Sequence, residues 1–251
     1  MKLKSLIEYL DSYLRIGEIR DASWNGLQFE GNDEVRRIMF AVDAGIETFE
    51  KAIDEKCDMV VVHHGLFWAM NDPCITGATK KRIDILHRND ISLYACHLPL
   101  DRHPVVGNNA QLLKLLGARV AGEFLSRDGK NLSYHGEFKP AVSMDHVEKR
   151  LSEGLETTCT VLPFGRPRVR TVGVISGGGG RGDFEHAVTM GLDLFITGEA
   201  TDFYHAVKDA GMNVIFAGHH ATEILGVMAL RGVVEKELGI ESIFVDIPTG
   251  L

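Results

Sequence analysis

A chain of 251 residues can form two modest domains or one large α/β unit. Its apolar fraction of 45% and charged fraction of 25% are those of an ordinary soluble globular protein, and no run approaches the length that spans a bilayer. A formal charge of −8 argues against nucleic acid or anionic lipid as the main partner, while a local basic patch stays compatible with that total. The four cysteines, Cys57, Cys74, Cys96 and Cys159, form no C-x-x-C pair and read as scattered reduced thiols of a cytoplasmic protein.

Leu3, Leu6, Ile7, Leu10 and Leu14 recur at helical spacing and predict a helix over 2–14, which with Glu8 and Asp11 in its apolar pattern reads as a helix and not as a signal peptide. The turn-rich "SWNGLQFEG" follows. Strand 36–42, helix 46–57 and the apolar strand 59–62 come next; a run such as "MVVV" belongs in a parallel sheet covered on both faces. Helix 80–90, strand 91–96 and helix 108–117 continue the alternation. The stretch 121–165 reads differently, with "NLSYHGEF" as an edge strand, "SMDHVEKRLSEGL" as a helix, and "TCTVLPFGRPRVR" as a strand and a Pro-Gly turn. Alternation then resumes with strand 169–175, helix 183–190, strand 193–197, helix 202–210, strand 213–217, helix 221–238 and strand 242–247. The pattern predicts an α/β fold with two similar lobes, 1–120 and 121–251, each with a mostly parallel sheet.

A weak internal repeat supports two lobes. "CDMVVVHHG" aligns with "LDLFITGEA" at an offset of 135, placing Asp58 on Asp193, His63 on Gly198 and His64 on Glu199. Such a repeat predicts lobes that face each other across a metal-binding cleft.

Three segments place metal-type donors directly after a strand, where open α/β sheets bind ligands. His63 and His64 end the second strand, His97 and Asp101 follow "ISLYAC", and His219, His220 and Glu223 follow "NVIF". His219 and Glu223 share a helix face at four-residue spacing. Adjacent His63 and His64 need the chain to turn at Gly65 to reach one cavity. This many imidazoles and carboxylates exceeds one tetrahedral ion and suits two divalent ions, bridged by Glu223 or Asp101. A lone buried histidine is ordinarily a packing residue; three donor groups at one sheet edge are what favour metal. Metal identity is not readable, since such sites take Zn, Fe or Mn.

Other stretches leave alternatives open. "SGGGGRGDFE" is either a tight turn or a phosphate contact, and it lacks the P-loop lysine. Glu199 is a carboxylate behind the ligands, a general base, or a solvent-facing acid at a helix start; His205 shares that ambiguity. Trp24 and Asn25 either line the cleft or form a structural turn. His87, His135, His146 and His186 read as surface or packing residues.

"WNGLQFEG", "VVHHGLFW", "HLPLDRHPVVGNNAQL", "ITGE" and "AGHHATEILG" together resemble the NGG-interacting-factor-three-like family, also labelled GTP cyclohydrolase type-two-like. The likeness runs to the final "FVDIPTG", with "Leu-Pro" in "HLPLD" where many relatives carry Thr-Asn. It implies two α/β lobes, two divalent ions per subunit held by His63, His64, Asp101, His219 and Glu223, and a toroidal homohexamer. His97 matches a motif histidine of the outer shell or an occasional ligand. The surplus of ligands on three strand ends leads us to expect a metal-dependent hydrolase acting on a nucleotide-like small molecule through a metal-activated water, with Glu199 or His97 as proton carrier. The alternative is a non-catalytic metal-binding ring that serves as scaffold, metal carrier or DNA-damage-response partner.

Overall fold

A computed structural model describes residues 1–251. Its strands are β1 (Gly26–Phe29), β2 (Arg37–Asp43), β3 (Met59–His64), β4 (Ser92–Ala95), β5 (Arg119–Glu123), β6 (Ser126–Arg127), β7 (Lys130–Asn131), β8 (Tyr134–Ser143), β9 (Thr160–Pro163), β10 (Arg168–Ile175), β11 (Leu194–Thr197), β12 (Asn213–Phe216) and β13 (Glu241–Phe244). Its helices are α1 (Leu3–Leu14), α2 (Ile46–Asp54), α3 (Gly77–Arg88), α4 (Leu98–Asp101), α5 (Asn108–Leu116), α6 (Met144–Leu155), α7 (Arg181–Thr189), α8 (Tyr204–Ala210) and α9 (His219–Leu238). None is long and apolar enough to cross a membrane. The chain divides into two units, Met1–Leu100 with Val227–Ile247, and Asp101–Gly226 with Pro248–Leu251.

In the first unit the predicted leucine stripe of α1 is buried at Leu3, Leu6, Leu10 and Leu14, and the helix closes on Arg15 in the left-handed conformation. The sheet runs β1-β4-β3-β2-β13, with only β1 antiparallel. Apolar residues on one face of β2, β3 and β4 (Met39, Val60, Val62, Leu93) pack with Phe49 and Ala52 of α2 and Leu86 of α3. From the same strand, Tyr94 donates its hydroxyl to Asp11 of α1 at 2.9 Å. Helices on both faces explain why β3 is apolar from Met59 to Val62.

In the second unit the sheet runs β5-β8-β10-β11-β12-β9. Its centre, β10-β11-β12, is parallel, and both flanks are antiparallel, so this sheet is mixed rather than mostly parallel. Leu112, Leu113 and Leu116 of α5, Val147 and Leu151 of α6, and Val172, Leu194 and Ile215 of the sheet form its core.

The internal repeat reappears in the parallel strand pairing, with β10 displaced by one residue from the offset of 135 that relates β3 to β11. Ile38 pairs with Met59 and Phe40 with Val61 in the first sheet; Val172 pairs with Leu194 and Val174 with Ile196 in the second. The next strands follow suit, Met59 opposite Ser92 and Leu194 opposite Asn213.

Several boundaries depart from the sequence reading. The division falls at Leu100 and not at 120, because α5 buries its leucines in the second core. The last strand joins the first unit, where β13 lies parallel to β2; its residues mark a strand but not the sheet whose edge it completes. "NLSYHGEF" contributes to β8, which is internal, between β5 and β10. A strand in an antiparallel flank can keep one wet face, so its alternation looks like that of an edge. "GLQF", read as turn-rich, is the edge strand β1.

Candidate metal centre

In the first unit, β3 delivers His63 and His64, and the loop after β4 delivers His97. His63 is wholly buried. Its ring lies 4.6 Å from that of His64 and 5.0 Å from that of His97, centroid to centroid. One ring nitrogen from each of the three lies within 4.8 Å of the others, close enough to share an ion. Gly65 serves this approach differently from the turn predicted for it. It has no left-handed φ; instead, a Cβ there would collide with the Gln28 amide and the Ala95 methyl. Glycine is needed for close packing of the strand end.

Each imidazole is held by its Nδ1. His63 Nδ1 donates to the Cys96 carbonyl, His64 Nδ1 to Asp43 Oδ1 and His97 Nδ1 to Asp21 Oδ1, each at 2.9 Å. An oxygen acceptor fixes the proton on Nδ1 and leaves the lone pair on Nε2, the arrangement of a metal-ligating histidine. Asp21 is itself anchored by the N–H groups of Ser23 (3.0 Å) and Leu98 (2.9 Å) and by the Asn25 amide (2.9 Å). Burial acts to raise the Asp21 carboxyl, but His97, Asn25 and the Ser23 N–H outweigh it and hold the group well below the carboxylate range. Asn25 also accepts the His97 backbone N–H at 2.7 Å. It is therefore a structural brace.

In the second unit, α9 opens with His219 and places Glu223 one turn later, with Nε2 and Oε2 3.2 Å apart. His219 Nδ1 donates to Glu199 Oε1 at 2.6 Å, repeating the imidazole–carboxylate pairing seen in the first unit. Thr222 fixes the helix start, donating to the His219 carbonyl (2.9 Å) and accepting the Gly177 N–H (2.8 Å). Asp101, buried, accepts from Asn108 Nδ2 (2.9 Å) and Ser176 Oγ (2.8 Å). Its carboxylate lies within 4.8 Å of that of Glu223, which is also buried. Two buried carboxylates this close require positive charge beside them. Here a proton on His219 contributes it: Glu223 foremost, and Glu199 behind it, push the imidazole up to about 9 against the effect of burial. A divalent cation suits the same place, so the donor chemistry fits a metal in both units.

The remaining alternatives resolve as follows. In the glycine loop the N–H groups of Gly177, Gly179 and Gly180 go to Thr222, Thr197 and Asp183, which is the tight turn and not a phosphate cradle. Glu199 stands behind His219 and is half exposed. His220 is buried, with its backbone N–H on the Leu251 carbonyl at 3.3 Å. Trp24 is exposed and lines a cavity with Trp68. The sequence reading missed Asp21 and Asp43, whose partners lie far along the chain. It also passed over His103, whose Nδ1 accepts the N–H groups of Val105 and Val106 in a local turn.

A family model described as Duf34/NIF3 (NGG1p interacting factor 3) matches residues 1–249. Relatives from Archaeoglobus fulgidus and Pyrococcus horikoshii, each named GTP cyclohydrolase 1 type 2 homolog, are 43% and 42% identical over the full length of both chains. Among solved structures, a protein called ybgI, described as of unknown function, superposes with a TM-score of 0.94 at 35% identity over all of both chains. TTHA1606 from Thermus thermophilus does so with a TM-score of 0.91 at 39% identity, again over both whole chains.

Proposed function

The chain belongs to the Duf34/NIF3 family, and from that premise we propose that it is a divalent-metal-dependent hydrolase of a nucleotide-like small molecule. The observation that carries the reading is the common pose of four imidazoles, each with Nδ1 committed to an oxygen, the last of them with Nε2 beside the Glu223 carboxylate. His63, His64, Asp101, His219 and Glu223 would hold two ions; this donor set is larger than one tetrahedral ion requires. Zn, Fe or Mn would suit it. Such ions lower the pKa of a coordinated water and polarise the phosphoryl or carbonyl oxygen under attack.

The chain's own groups do the rest. Asp43 and Asp21 hold His64 and His97 in one tautomer, and Glu199 does the same for His219. Glu199, half exposed and engaged through one oxygen, is the better placed proton carrier; His97 is the other. GTP is the first substrate to test, since the relatives carry that name. The surrounding assignments, a cytoplasmic protein assembled as a toroidal homohexamer with direct nucleic-acid binding disfavoured, rest on the family resemblance, the cysteines outside any disulfide and the −8 charge.

The test is metal content and turnover of His64→Ala and Glu223→Ala beside the native chain. Loss of bound metal in both, with loss of hydrolysis, is the expected result. Unchanged stoichiometry in both would overturn the metal assignment. Bound metal without turnover of GTP or other nucleotides would favour the non-catalytic ring.

A further inference from the structure

We propose that the cavity beside Trp68 is a recognition pocket for an uncharged planar nitrogen heterocycle, stacked on Trp24 and read along its N–H edge by Asp72. The cavity measures about 750 Å³, room for a nucleoside-sized molecule, and lies wholly within the first unit. Both tryptophans of the chain line it. Trp24 is 65% exposed, unusual for the largest apolar side chain unless something covers it. The Trp68 ring stands edge-on to His97 at 5.0 Å and lies 5.9 Å from His64, so the pocket abuts the histidine cluster.

The pocket is built before any ligand arrives. Trp24 N–H donates to the Phe67 carbonyl at 3.0 Å and Ala69 N–H to the Ala22 carbonyl at 2.7 Å, pairing the two walls like a short ladder. Gln28 ties them again: its Nε2 donates to the Trp24 carbonyl and its Oε1 accepts the Leu66 N–H, both at 2.7 Å. Trp68 Nε1 is spent on the Gly65 carbonyl at 3.0 Å. Rigid walls cut the ordering cost of binding.

Charge decides what fits. The lining contains no lysine or arginine, and its one charged residue is Asp72. A phosphate would be repelled here, whereas an aromatic ring with N–H donors is matched. Asp72 Oδ1 accepts the Cys74 N–H at 2.9 Å, which orients the carboxylate, and that bond holds it below the usual carboxylate range and hence ionised. Asn71 adds an amide at the same wall. A nucleotide seated this way puts its ring in the pocket and its phosphates outside it. The ring site stands on the pocket's own geometry; only its relevance to catalysis rests on the hydrolase reading.

Equilibrium dialysis of the metal-stripped full chain against labelled guanosine, inosine and ribose 5-phosphate tests it. Guanosine should be retained, inosine several-fold less because it lacks the exocyclic amine, and ribose 5-phosphate not at all. Trp24→Ala should weaken guanosine binding roughly five- to hundred-fold, the range for losing one base–aromatic stack. Trp24→Phe should restore most of it, and Asp72→Asn should erase the preference over inosine. Retention of ribose 5-phosphate as strong as that of guanosine would overturn the proposal. So would native-like guanosine binding by Trp24→Ala, or no retention of guanosine at all. These outcomes concern the stripped protein, so they are separate from failure of the hydrolase reading, which shows in metal content and turnover.

Discussion

Asp58 and Asp193 perform the same task at equivalent points of the repeat. Asp58 Oδ2 accepts the N–H groups of Arg36 and Arg37 at 2.8 and 3.1 Å, where the chain enters β2. Asp193 Oδ2 accepts those of Arg170 and Thr171 at 2.9 and 3.1 Å in β10, and the Thr171 hydroxyl at 3.2 Å as well. Each carboxylate satisfies donors that the parallel ladder leaves over and so pins the register of its strand pair. Hydrogen bonds to a charged group contribute about 1.5–3 kcal/mol. Asp58→Ala and Asp193→Ala should each destabilise by that order in urea denaturation, with Asp193→Ala the costlier for its third donor. A change below about 0.5 kcal/mol in both, the range of ordinary surface substitutions, would show that the aspartates do not anchor the sheets.

That pair also marks what could be read in advance. The repeat was visible because it lies within short segments, each an acidic residue, an apolar strand and a donor or glycine at its end. The donors were visible for the same reason, as His63, His64, His219 and Glu223 sit beside the strand ends that present them. What escaped was non-local. Asp21 reaches His97 and Asp43 reaches His64 only after folding, so no spacing in the chain announces either. The sheet that β13 joins, and the internal place of β8, depend on which edges remain open once the other strands have paired.

The carboxylates behind the imidazoles give the second prediction. Asp43→Ala and Glu199→Ala leave the proposed ligands His64 and His219 intact but free their rings to rotate and change tautomer. Loss of such partners typically weakens metal binding ten- to hundred-fold. Chelator competition on folded variants should show a loss of that size. Affinity equal to the native chain in both would mean that the two acids do not orient metal ligands.

Gly177 allows a sharper comparison. It has φ of +63°, and a Cβ there would run into the Glu223 carboxylate and come within 3.1 Å of His219 Nε2. Gly117 has φ of +73° with nothing within 4 Å of a Cβ. Alanine at either position incurs the left-handed strain of about 1–2 kcal/mol. Only Gly177→Ala should also displace Glu223. Both variants should therefore lower the melting temperature, while metal content falls in Gly177→Ala alone. Equal metal content in the two would show that Glu223 tolerates displacement or holds no ion.

Tyr94 and Asp11 give a pH dependence remote from the histidines. Burial raises the Asp11 carboxyl above its usual value, and the hydrogen bond donated by Tyr94 acts the other way by favouring the anion. A carboxyl with a raised folded pKa binds its proton more tightly in the native chain. Its contribution is therefore fully present below the unfolded pKa and is lost as pH rises through the folded one. Relative to Asp11→Asn, the native chain should lose stability as pH climbs from the ordinary carboxyl value of 3.8 through the acid range above it. Tyr94→Phe removes the group that favours ionisation, so its folded pKa should climb further and the slope should steepen and extend upward. Urea midpoints of the three proteins across that range measure the difference, with the titration of every other group common to all. A native chain that gains stability relative to Asp11→Asn as pH rises would mean that the Tyr94 bond, rather than burial, sets the state of Asp11.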